Sequence, residues 1–76
     1  MAGRFGLPTL GAVMAHAAHE GYQVSTGYFA MTGRDVVVMT SPDGRSMVLA
    51  DADQSRRLFP RELANIERRI GLHYPY

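Results

Sequence analysis

Apolar and polar positions along the 76-residue chain fall into five periodic segments separated by turn residues. Between Thr9 and Glu20, the residues Leu10, Val13, Met14, Ala17 and Ala18 recur at helical spacing, which predicts a helix with one apolar stripe. Thr9 is suited to cap its start and Gly21 to end it. Four alanines keep the helix thin, so it can lie close on a sheet. The next run, Tyr22 to Thr32, has a period of two, with Tyr22, Val24, Thr26 and Tyr28 on one face. Gly27 within it predicts a bulge or bend. Gly33-Arg34 then turns the chain into a second strand.

That second strand, DVVVMT from Asp35, is too apolar for a strand with one wet face. It suits the middle of a small sheet with something packed over it. Pro42-Asp43-Gly44 is a turn with a mechanism. Proline presets φ, aspartate bonds back to the backbone, and glycine accepts positive φ. Ser46–Ala50 is the third strand, with Met47 and Leu49 opposite Val48. Both of its faces are apolar, so its register stays open.

DADQSRRL, residues 51–58, reads as a polar loop. Pro60 opens a second helix, where its missing N–H costs little. Leu63, Ile66 and Ile70 form its buried face, with Phe59 one turn earlier. Gly71 ends it, and Leu72 folds back as the apolar contact of a Schellman end. The tyrosines of the tail, residues 73–76, are expected to pack back on the sheet. The order helix, strand, strand, strand, helix with tight turns predicts an α+β two-layer domain. A three-stranded antiparallel sheet would carry both helices on one face. Residues 1–8 read as a flexible arm, 9–72 as a single domain and 73–76 as a tail.

Composition changes this picture little. Apolar residues make up 46% of the chain, enough for one small core without staples. Cysteine is absent, which excludes disulfides and thiolate metal sites. No apolar run approaches the ~20 residues of a membrane helix. The first 18 residues look superficially like a signal peptide, but Pro8, His16 and His19 interrupt them. A cytoplasmic protein is the expectation.

Charge is more informative in its distribution than in its sum. The net charge is only +1, yet every one of the eight cations is arginine. The all-arginine usage fits a GC-rich genome, and each guanidinium is a planar fork suited to phosphate or carboxylate. With Arg61 as reference on the second helix, Asn65 and Arg68 fall within about 40° and Arg69 within about 80°. Arg56 and Arg57 precede them, and Arg45 follows the hairpin turn. Arginine and asparagine together can hold phosphates and sugar hydroxyls. The plainer reading is a solvated face, partly compensated by Glu62 and Glu67.

Other candidates carry weaker patterns. His16 and His19 lie together opposite the apolar stripe, so both are expected to be exposed. They could act as bases or phosphate contacts, and with Glu20 they offer at most three metal ligands. His73 is expected at the surface. Asp35 could serve as a carboxylate base, though an aspartate beside Arg34 reads first as a turn or ion-pair residue. Asp51 and Asp53 could meet a cation, against the expectation of a solvated loop. Tyr22, Tyr28 and Phe29 are expected in the core, with base stacking as the alternative. No metal or cofactor is expected. The open sheet edges offer sites for strand addition or for a homodimer.

Together these motifs resemble one family. A helix ends in Gly21-Tyr22, a strand pair turns through Pro42-Asp43-Gly44-Arg45, and a polar loop leads to a helix reading LANIERRIGL. In order and spacing this resembles the HicA toxins, small proteins with a double-stranded-RNA-binding-domain-like fold, common in actinobacteria and their phages. The likeness covers about residues 11–72. It implies a toxin–antitoxin ribonuclease acting on messenger RNA and held by an antitoxin partner. The family's catalytic histidine sits in a Gly-Ser-His-like motif at the start of the second strand. The matching stretch here is Gly33-Arg34-Asp35-Val36, with Asp35 or Val36 in the histidine's place. The resemblance therefore implies an RNA-interacting domain, either a messenger-RNA interferase or a relative without that histidine. The alternative is a small non-enzymatic inhibitor or adaptor, of phage origin on this reading, that binds a host protein.

Overall fold

The computed structural model describes residues 7–50 and 53–75. Helix α1 (Leu10–His19) is followed by strands β1 (Gln23–Phe29), β2 (Arg34–Thr40) and β3 (Ser46–Ala50), then helix α2 (Pro60–Ile70). The strands form an antiparallel meander in the order β1-β2-β3. This is the expected α+β architecture, with both helices on one face of the sheet.

The register resolves which side of each strand is inner. Val24 pairs with Met39 and Met39 with Met47, while Val37 pairs with Leu49. These side chains pack with Leu10, Val13, Met14 and Ala17 of α1 and Leu63, Ile66 and Ile70 of α2. Period two then places Phe29, Val36, Val38, Val48 and Ala50 on the opposite face. Thus β2 is the middle strand as expected, and on its second face Val36 is buried while Val48 of the neighbouring β3 is 59% exposed. The β1–β2 register runs without a slip through Gly27↔Val36, so the bulge expected at Gly27 does not form.

Both helix ends follow the sequence signals. The Thr9 hydroxyl accepts the Ala12 N–H at 3.2 Å. Gly71 adopts φ 70°, the left-handed conformation that closes α2. Leu72 is then buried in the core. Phe59, expected on the buried side, is 67% exposed. As the N-cap of α2 it has extended backbone, which aims its ring away from the helical stripe. Its N–H is held by the Glu62 carboxylate at 2.8 Å.

The polar loop acts as a strap. The N–H of Leu10 donates to the Arg56 carbonyl at 3.0 Å, and that of Gly11 to the Gln54 carbonyl at 2.8 Å. Two of the unpaired donors at the start of α1 are thereby satisfied by main chain rather than water. Leu58 N–H returns to the Pro8 carbonyl at 3.0 Å. Leu7 packs against the core and Pro8 is buried, so the expected arm is tied down at these two residues. The rest of the arm, residues 1–6, lies outside the described residues. The tail is also anchored. Tyr74 packs against the core and meets His16 of α1, and its N–H donates to Glu67 at 2.9 Å. Tyr76 lies outside the described residues.

Candidate nucleic-acid interface

Helix α2 carries the clearest site. Its apolar stripe faces the sheet, which turns Arg61, Asn65, Arg68 and Arg69 outward. All four are exposed, and no intramolecular hydrogen bond or ion pair engages their side chains among the described residues. Arg68 and Arg69 sit in the last turn, where cations also favour the helix dipole.

The fold adds Arg45 to this group. A Cβ placed on Gly71 would lie 2.5 Å from an Arg45 guanidinium nitrogen, so the hairpin arginine lies directly over the end of α2. Arg45 is held there by Asp43, at 3.1 Å. Hydrogen bonds from the Ser41 hydroxyl and from Arg45 hold the Asp43 carboxyl down at about 2. The turn therefore keeps its carboxylate charged and its arginine oriented. Twenty-five residues of chain separate Arg45 from Gly71, so only the tertiary structure could reveal the pairing.

Arg56 and Arg57 behave differently. Arg56 makes a bidentate pair with Glu62, at 2.9 Å for each nitrogen–oxygen contact. The Arg56 hydrogen bond, followed by the Phe59 N–H, depresses the Glu62 carboxyl, and the same pair raises Arg56 further. Arg57 donates to the Leu7 carbonyl at 2.7 Å. Both were expected to share the cationic face, yet both brace the strap. Arg56, Glu62 and Asn65 line a cleft of about 180 Å³ between α2 and β3.

The histidines split. His19 and His73 are exposed, as expected. His16 is half-buried instead, because the tail folds across it. Its Nε2 lies 2.8 Å from the His73 carbonyl oxygen, which can only accept, so Nε2 carries the proton. The ring also meets Tyr74 edge-on, with centroids 5.2 Å apart. Among the described residues, no group of three or more His, Asp or Glu side chains is placed to hold a metal ion. Asp53 accepts from the Ser55 N–H and hydroxyl at 3.0 and 2.6 Å, which lowers its pKa and makes it a turn residue. Asp51 lies outside the described residues.

The aromatics also depart from expectation. Tyr22 packs against the core, but Tyr28 and Phe29 are 64% and 58% exposed. Phe29 lies on the sheet face opposite the helices; for Tyr28 the cause is length. Ten helical residues span about 15 Å, whereas seven strand residues span about 23 Å. Helix α1 covers Val24 and stops short of Thr26 and Tyr28. The uncovered end of the inner sheet face forms a concavity of about 430 Å³. Thr26 and Tyr28 line it from β1, Asp35 and Val37 from β2, and Gln54 from the strap. Asp35 is exposed there and has no hydrogen-bond or ion-pair partner among the described residues. It does not make the ion pair or turn contact expected of it. Sequence reading passed over Thr26 and Gln54. The shared face of Thr26 and Tyr28 was legible, but the strap that brings Gln54 beside them was not.

Comparison of the chain with protein-family models, with characterised proteins and with solved structures gave no match. No helix among the described residues is long and apolar enough to cross a membrane.

Proposed function

We propose that this chain is a HicA-like RNA-interacting domain that grips RNA phosphates with the outer face of α2. The supporting observation is that Arg61, Asn65, Arg68 and Arg69 stand exposed and unengaged among the described residues, with Arg45 held by Asp43 over the end of the same helix at Gly71. Guanidinium forks bind phosphate oxygens bidentately and need no base contact to do so. Histidine-dependent cleavage at the start of β2 is not part of the proposal, because Asp35 or Val36 stands at that position. His16 cannot replace it there. It belongs to the Tyr22 end of β1, about 20 Å of strand from Asp35.

Fluorescence anisotropy with labelled decauridine at several salt concentrations tests this reading. Binding should weaken linearly on a log–log plot of affinity against salt. Arg61→Ala/Arg68→Ala should reduce affinity about tenfold and flatten the slope by roughly 1.4, the single-strand value for two phosphate contacts. Salt-independent binding, or none, would remove the RNA reading. Incubation with a messenger RNA separates contact from turnover, and the expected result is bound but intact RNA.

A second reading is a non-enzymatic inhibitor or adaptor that docks a host protein. It is favoured by the open sheet face, where Phe29 and Val48 are 58% and 59% exposed. A protein complex that survives ribonuclease treatment and is lost in Val48→Asp would support it over the first.

A further inference from the structure

We infer that the concavity at the uncovered end of β1 is a guanine-selecting base pocket. The inference rests on the RNA reading and names what that RNA presents. The pocket brings together polar side chains that no hydrogen bond engages among the described residues. Thr26 and Tyr28 come from one strand, Asp35 from the next, and Gln54 from the strap. Its volume, about 430 Å³, falls within the roughly 300–1,000 Å³ of small-molecule sites. Tyr28 is 64% exposed beside it, so its ring is available for stacking.

The carboxylate decides which base fits. A carboxylate such as that of Asp35 is acceptor-only. It repels phosphate, so in an RNA-binding protein it faces a base edge and not the backbone. Guanine alone presents two adjacent donors on its Watson–Crick edge, N1–H and the N2 amino group. These match the two oxygens of one carboxylate. Adenine and cytosine each offer a single amino donor, and uracil only its N3–H. The hydroxyl of Thr26 and the amide of Gln54 can donate to guanine O6. Extended single-stranded RNA, with bases splayed from the backbone, is the form that can enter.

The test uses decauridine and decamers with one central uridine replaced by guanosine, adenosine, cytidine or inosine. Anisotropy should show the guanosine decamer binding about tenfold tighter than the adenosine and cytidine decamers, the discrimination expected of one bidentate pair. Inosine keeps N1–H but lacks the amino group, and should fall between. Asp35→Asn should level the decamers, and circular dichroism should show that the variant remains folded. Addition of guanosine monophosphate to ¹⁵N-labelled protein should shift the amides of Tyr28 and Asp35 more than adenosine monophosphate does. Equal binding of all decamers would overturn the guanine pocket and leave the RNA reading intact. Binding of none would overturn both.

Discussion

The phenolic hydroxyl of Tyr22 donates to the main-chain carbonyl of Ile70 at 2.8 Å. A side chain just before β1 thus satisfies one of the carbonyls that the end of α2 leaves unpaired. The bond closes the domain between its first strand and its last helix, at a partly buried site. Tyr22→Phe keeps the ring and removes only the donor. We expect a loss of about 1 kcal/mol, the usual net value of such a bond. Thermal unfolding should show it as a drop of roughly 4–8 °C in Tm for a domain of this size.

Gly71 is held at φ 70° under the Arg45 guanidinium. Gly71→Ala should cost about 1–2 kcal/mol from the left-handed backbone. It should also displace Arg45, because the new methyl would occupy the guanidinium's place. Urea denaturation reads the first effect. Weaker RNA binding than the stability loss explains would read the second.

Acid should loosen the β2–β3 turn. Asp43 titrates at about 2 in the folded chain against an ordinary 3.8. A carboxyl with a depressed folded pKa contributes stability above its unfolded pKa and loses it as pH falls through the folded value. The turn's contribution is therefore whole above about pH 4–5 and gone below about pH 2. Asp43→Asn should flatten the dependence of stability on pH in that window and leave it unchanged between pH 6 and 8.

Glu62 bonds the Phe59 N–H and pairs with Arg56. The cap is the larger part, since the exposed pair is screened by solvent. Glu62→Ala should destabilise by about 1 kcal/mol. Glu62→Gln, which keeps an acceptor for the cap, should recover most of that in the same chemical-denaturation assay.

Leu72 is the last residue of the core and is 4% exposed. Leu72→Ala should cost about 2–4 kcal/mol by loss of buried surface and the cavity left behind. That is a large part of the total for so short a chain. Substituting the exposed His73 should cost little, and comparing the two midpoints checks both.

Local pattern determined the elements of this protein. The stripe from Leu10 to Ala18, the Pro-Asp-Gly turn, Pro60 and Gly71 each act within a few residues, through periodicity, capping and permitted dihedrals. They sufficed for the order of helices and strands and for the two-layer fold. Tertiary structure decided what those elements could not sense. Arg56 and Arg57 read as part of a cationic face, but the strap's path brought them to Glu62 and to the Leu7 carbonyl. His16 read as exposed until the tail crossed it. Tyr28 read as core because its strand alternates correctly, yet α1 is too short to reach it. Arg45 and Gly71 meet only because β3 begins on the side where α2 ends. Periodicity states which face a side chain takes. Whether anything covers that face depends on element lengths and chain paths, and these are properties of the whole fold.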